Sequence, residues 1–373
     1  MRCAFLRSRR RRRGEVREAI FRSDPALESR RFPGPRSDVR GTREQIRRIP
    51  KTELHQHLDG SIPPSTIWRM MRRHGLNPVR DLGAMRKLLT IQEGEEGTLL
   101  AYLDKFHYPL WITQFYENIQ EATEAIVREA ARHGVKTLEL RYSPVIHTFA
   151  GLTLRQAIRS VLSGLNHASR RYGIDCGLII IAMRQHGPHI AKILARQAIS
   201  EAQHLHDRTG VVGFDIAGPE RTTPPRLFRE AYEVAARGGL GVTAHSGEEV
   251  GPEVVWQTIE DLGVSRIGHA CSAVKDPALL RRLARDKILV ECCLTSNYQT
   301  GAVGRNEKHP VVEFVEKGVP VAICTDNTTV SGTDQTRETL LLRRYFSLKD
   351  IARIHSESRQ HSYILKRPRP STR

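Results

Sequence analysis

The chain has 373 residues, 39% of them hydrophobic, enough to bury a sizeable core in one large domain or two smaller ones. Its longest near-continuous apolar run, Cys176–Met183, is far too short to span a membrane, and its six cysteines include no C-x-x-C pair, so membrane-spanning and disulfide-framework classes are excluded and a reducing cytoplasm fits best. The net charge of +18 suggests nucleic acid at first sight, but it is concentrated at the ends: residues 1–50 hold 16 arginines and no lysine against six acidic residues, and Lys366–Arg373 is basic as well.

Residues 1–48, rich in Arg, Pro, Ser and Gly, are expected to form a disordered basic tail, with polyanion contact as the functional alternative. Met1–Gly14 carries an Arg block with no apolar stretch after it, unlike a secretory signal, and Glu15, Glu18 and Asp24 argue against an organellar transit peptide. Residues 49–373 read as one domain in which short apolar or β-branched runs alternate with helical stretches. The predicted strands are Thr52–His57, Thr137–Tyr142, Gly177–Met183, Val211–Ile216, Gly241–His245, Arg266–His269, Ile288–Cys292 and Val319–Thr325. Helical periodicity fills stretches between them, such as Gln120–His133 and Leu154–Tyr172.

Repeated strand–helix alternation predicts a parallel sheet, and eight units predict closure into a (β/α)8 TIM barrel of the α/β class. An open doubly wound sheet would want a G-x-G-x-x-G phosphate loop after the first strand, and the sequence has none there. Between the first two strands, residues 61–120 form a helical insertion. Its aromatics Phe106, Tyr108, Trp111, Phe115 and Tyr116 are expected to pack the insertion onto the barrel, and some of them can at the same time line an apolar wall over a site.

The informative polar residues fall at strand ends. His55 and His57 end the first predicted strand, His245 the fifth and His269 the sixth, while Asp326 follows the eighth. In a (β/α)8 barrel the C-terminal strand ends share one mouth, where catalytic groups gather. Side chains at i and i+2 of a strand point to one face, so His55 and His57 can reach a single metal. With His245 and Asp326 they supply three nitrogens and one hard oxygen, a set suited to one Zn2+ with a position left for water. Glu248, three residues past His245, is placed for general acid–base work; a solvated loop carboxylate is the bland alternative.

At these residues the chain resembles the adenosine deaminase family of metal-dependent hydrolases. The matching segments are Glu53–Gly60, Leu138–Pro144, Phe214–Glu220, His245–Glu248, Arg266–His269, Cys293–Asn297 and Cys324–Asn327, in family order across almost everything from residue 50 onward. The resemblance implies zinc on His55, His57, His245 and Asp326, proton exchange between Glu248 and purine N1, and His269 orienting the attacking water. It further implies that Asp59 holds a ribose 5′-hydroxyl and that the Gly218 N–H faces N3. Asn327 departs from the family pattern, where many members have an Asp near purine N7; an amide donates to that acceptor without a shifted pKa.

The resemblance therefore implies hydrolytic deamination of adenosine or a close 6-aminopurine nucleoside, giving the 6-oxo purine and ammonia. Adenine, aminodeoxyfutalosine or another aminopurine derivative is the alternative substrate, and a metal-dependent amidase or esterase fits Glu248 and Gly218 less well. A nucleic-acid-binding protein led by its Arg tail would not need the complete ligand set. The expected partner is thus a small purine nucleoside, with no membrane and no nucleic acid except through the tail. The signature H-x-E with P-C-x-x-C, used by the zinc deaminases that act on nucleic-acid bases, is absent; Cys292-Cys293 does not supply it.

Overall fold

The apolar runs pair in chain order. In the computed structural model, which describes residues 39–202 and 209–365, the strands are β1 Lys51–His57, β2 Val135–Tyr142, β3 Asp175–Met183, β4 Val211–Ala217, β5 Gly241–Ser246, β6 Arg266–His269, β7 Leu289–Cys292 and β8 Val321–Ile323. They form one eight-stranded sheet in the order β1 to β8, and all neighbouring strands are parallel. β8 is shorter than the sequence suggests; Pro320, which has no N–H to give a ladder, stands just before it. Closure comes one step later. Asp326 bridges to Gln56, with His57 N–H donating to Asp326 O at 2.7 Å and Asp326 N–H donating to His55 O at 2.9 Å.

Helices such as Leu154–Tyr172, Gly187–Ala202 and Pro277–Arg285 follow the strands and bury their apolar faces against them. Thr153 and Gln156 close a capping box at the start of the first of these, and Gly173 ends it in the left-handed conformation. Inside the barrel the packing is mixed. Leu54, Leu289, Cys293, Ala322 and Cys324 form a small apolar layer, while the ionisable side chains of Glu53, Glu139, Arg141, Asp215, Arg266 and Glu291 are buried.

The insertion after β1 is helical, with segments Pro64–Arg73, Leu82–Leu89, Leu99–Asp104 and His107–Ile112. Of its aromatics, Phe106 packs on Ile91, Tyr102 and Val330, Tyr108 packs on the main core, and Phe115 stacks on His74 with centroids 4.7 Å apart. The Tyr116 hydroxyl donates to Arg159 O at 3.2 Å, and Trp111 stays exposed. Packing is thus what these contacts show. Among the described residues no helix is long and apolar enough to cross a membrane.

The expected tail boundary at residue 48 needs correction. Residues 1–38 lie outside the described residues, but Val39–Arg48 forms a helix, α1. Ile46 is fully buried, Arg47 Nε donates to Arg132 O at 2.9 Å, and the buried Lys51 Nζ donates to Ile46 O at 2.6 Å and Ile49 O at 3.0 Å. A lysine from β1 thus satisfies the carbonyls a helix leaves unpaired at its C-terminus. Burial pushes that ammonium down to about 8. Deleting residues through 48 exposes the pocket of Ile46 and strands the Lys51 amine. We expect the deletion to cost about 2–4 kcal/mol in urea unfolding; an unchanged unfolding midpoint would show that the helix is not part of the folded unit.

Candidate active site

The end of β1 turns two imidazoles to one side, as the period of a strand requires. His55 Nε2 and His57 Nε2 are 3.2 Å apart, and His57 Nε2 is 3.1 Å from His245 Nε2. Asp326 Oδ1 lies 3.3 Å from His57 Nε2 and 3.7 Å from His55 Nε2. Three ring nitrogens pointing at one spot cannot all hydrogen-bond one another. Their separations match a different arrangement: for metal–nitrogen bonds of about 2.0–2.1 Å, the edge of a tetrahedron is about 3.3 Å. The residues present therefore fit a divalent metal, which His55, His57, His245 and Asp326 could hold.

The atoms behind the ligands favour the same reading. His55 Nδ1 donates to Glu291 Oε2 at 2.8 Å, and His245 Nδ1 donates to Asp215 Oδ1 at 3.2 Å. Each carboxylate fixes the tautomer that leaves a lone pair on Nε2. Asp326 Oδ2 accepts from Ser296 Oγ at 2.6 Å. Burial drives His55 and His57 well below the usual imidazole range, so both are neutral. For His245, burial works the same way, but the Asp215 charge outweighs it and raises the ring's basicity. Asp215 is itself held well below the usual carboxylate range; burial opposes this, and His245 and Arg141 prevail.

Charge balance also points to a dication. Arg141 and Arg266 are fully buried, as are Glu139, Asp215 and Glu291, and Asp326 is nearly so. Arg141 bonds Asp215 and Glu291 at 2.9 and 2.8 Å; Arg266 bonds Glu139 and Glu291 at 2.6 and 2.8 Å. Those three carboxylates together with Asp326 outnumber the two guanidiniums, and a buried deficit of positive charge is expensive unless a cation fills it. Cys293 is near Asp326 and His269, but burial pushes its thiol well up, and a thiol that keeps its proton is a poor ligand.

Glu248 and His269 stand beside this set, with His269 Nε2 3.5 Å from Glu248 Oε2. The loop after β5 that carries Glu248 wraps the Glu220 carboxylate, which accepts from the N–H groups of Gly247, Glu248 and Glu249 at 2.8, 3.0 and 3.3 Å. Thr300 Oγ1 donates to Glu248 Oε1 at 3.1 Å. Burial, with the Asp326 charge second, pushes Glu248 up to about 7. Burial also takes His269 down to about 4, so that ring is neutral. His269 and Asp326 have left-handed backbones, φ 67° and 58°, a conformation that non-glycine residues adopt only at a cost of order 1–3 kcal/mol.

The remaining expected residues lie at the same end of the barrel. Asp59 Oδ1 is 2.7 Å from His147 Nε2, and His147 Nδ1 donates to Thr113 O at 2.8 Å. Gly218 follows β4 with φ 98°, where a Cβ would come within 2.5 Å of Gln185 Oε1. Asn327 Nδ2 donates to Asp326 Oδ1 at 2.7 Å, which spends one of its two amide protons. The sequence reading assigned no role to Arg141, Asp215, Glu220 or Ser296, although all four fall inside segments that it matched. Glu291 and His309 lie outside those segments. The signal available for Glu291 was a lone carboxylate in an otherwise apolar strand.

Glu291 is the carboxylate on which His55, Arg141 and Arg266 converge. Glu291→Gln keeps its shape and removes its charge. We expect metal retention against a chelator to weaken about 10–100-fold and unfolding free energy to fall by about 3–5 kcal/mol, read by elemental analysis and urea titration; unchanged retention would remove Glu291 from the support of the centre.

The sequence model of the adenosine deaminase family matches residues 50–369. An adenosine deaminase of Enterococcus faecalis is 36% identical over 82% of this chain and 88% of its own length. An adenine deaminase structure from Arthrobacter aurescens superposes with a TM-score of 0.76 at 25% identity, covering 84% of this chain and 93% of that one. The N6-methyl-AMP deaminase of Arabidopsis thaliana gives 0.74 at 26% identity, covering 86% and 94%. A ligand set, an acid and an eight-stranded barrel in family order leave one assignment: the chain belongs to the adenosine deaminase family of metal-dependent aminohydrolases.

Proposed function

We propose that this chain hydrolyses adenosine to inosine and ammonia, using one zinc ion held by His55, His57, His245 and Asp326. The observation that carries the reading is Glu248, 3.5 Å from His269 and pushed up to about 7 by burial, beside a donor set of three imidazoles and one carboxylate. Held by these residues, a zinc ion would lower the pKa of water from 15.7 to about 7 and so would supply a nucleophile at neutral pH.

The chain's own residues do the rest. Asp326 and His269 orient the attacking oxygen toward purine C6. Glu248 gives its proton to N1 as the C6–O bond forms, so negative charge does not build in the ring. The C6–N bond then breaks and the amino group leaves as ammonia, its extra proton coming from the water. The water's other proton passes to the Glu248 carboxylate and restores its acid form. General acid–base help of this kind contributes about 10²–10⁴-fold.

Asp59 supports a nucleoside substrate. A carboxylate accepts a hydrogen bond from a 5′-hydroxyl, whereas a 5′-phosphate brings like charge, which at about 4 Å and an effective dielectric near 20 costs roughly 4 kcal/mol per unit charge. Three arginines of the insertion are engaged elsewhere: Arg73 pairs with Glu121 at 3.0 Å, Arg69 bonds the same carboxylate, and Arg72 lies over the Trp68 ring. Gly218 and Asn327 complete the purine contacts, at N3 and N7. A cytoplasmic setting is supported by the free thiols of Cys176, Cys271, Cys292, Cys293 and Cys324. Residues 1–38 are outside the catalytic domain in this reading.

Glu248→Gln keeps the side chain's size and removes its transferable proton. We expect kcat to fall about 10²-fold or more with metal content unchanged. The protonated acid is present below about 7 and is lost as pH rises through that value, so wild-type kcat/KM should decline on the alkaline side and the variant should lack that limb. Steady-state ammonia release across pH 5–9 checks both; full turnover in the variant would take Glu248 out of the mechanism.

A further inference from the structure

Behind His269 runs a chain of hydrogen bonds whose direction can be fixed from one end. His309 precedes the helix Val311–Glu316. The Val311 backbone N–H donates to His309 Nδ1 at 3.1 Å, and a backbone N–H can only donate. Burial holds the His309 ring neutral, so with a lone pair on Nδ1 its proton sits on Nε2. That Nε2–H donates to Asn297 Oδ1 at 3.2 Å. The Asn297 amide is thereby oriented: turned over, its NH2 would meet another donor. Asn297 Nδ2 then donates to His269 Nδ1 at 3.0 Å, which puts the His269 proton on Nε2. All three side chains are buried, so solvent offers no substitute partner, and a reversed link would leave two buried donors or two buried acceptors face to face.

We propose that His309 is a positioning residue: through Asn297 it fixes His269 as the Nε2–H tautomer, making that ring a hydrogen-bond donor toward the attacking oxygen. The last clause rests on the deaminase reading above; the tautomer itself does not. Nε2 is the nitrogen that faces Glu248. A ring that already carries its proton there cannot take one from water at that atom. It can hold the attacking oxygen by donating to it, and proton transfer is left to Glu248. The relay also accounts for Asn297, a fully buried amide that touches neither the metal ligands nor Glu248 in any bond seen here.

The test uses the full-length zinc-loaded chain, 15N-labelled at histidine, with the His269 ring signals assigned by their loss in His269→Asn. The expected wild-type result is an unprotonated Nδ1 and a protonated Nε2. In Asn297→Asp the donor becomes an acceptor, and His269 should gain a proton on Nδ1, with kcat down about tenfold or more and KM within about twofold. His309→Phe should lower kcat similarly, and His309→Gln, which keeps a donor facing Asn297, should recover most of that loss. A wild-type His269 protonated on Nδ1 alone overturns the relay whether or not adenosine is the substrate. An unchanged tautomer and kcat in Asn297→Asp does so as well. If the wild-type tautomer is as expected but no aminopurine is deaminated, the relay stands and the functional reading falls.

Discussion

Charge cannot be left unpaired in the middle of a barrel, and the Arg141 guanidinium sets the terms for everything around it. It is fully buried between Asp215 and Glu291 and also donates to Leu54 O of β1. The two carboxylates that neutralise it are the two that orient His55 and His245. One guanidinium thus fixes two ligand tautomers on strands far apart in sequence. Arg266 repeats the arrangement one layer away with Glu139 and Glu291. Burying such a network costs desolvation that its own attractions barely repay, so its place in the fold is better explained by what it holds than by stability.

Closure of the barrel and assembly of the centre are one event. The seam between β1 and the residues after β8 is made by the backbone of Asp326 with His55 and His57, so three of the four proposed ligands are tied together by main-chain bonds. Glu53 reinforces the seam from within, accepting from Thr325 Oγ1 and Gln335 Nε2 at 2.8 Å each. The left-handed backbones at Asp326 and His269 are strained conformations held by this surrounding ladder, a pattern common where geometry matters more than local stability.

Much of this was legible in the sequence, for a physical reason. Strand periodicity and the shared mouth of a closed barrel make strand-end residues converge, so His55, His57, His245, His269 and Asp326 could be grouped without contacts. The helix Val39–Arg48 was not legible, because its arginine-rich composition hides the buried Ile46, and its carbonyls are satisfied by Lys51 from the next element. Nor could the partners of the buried charges be read: several strands carry a carboxylate or a guanidinium, and which of them meet depends on register across the barrel. His309 sits on a connecting segment with no periodicity to mark it.

The central claim is that the mouth of this barrel deaminates a purine nucleoside. It is tested most directly by kcat/KM for ammonia release from adenosine, adenine and adenosine 5′-monophosphate, measured side by side on the zinc-loaded chain. The account predicts that adenosine is preferred over its monophosphate by about a thousandfold and over the free base as well. A preference for the monophosphate or for adenine, or release of no ammonia by protein that holds its full complement of metal, would contradict it.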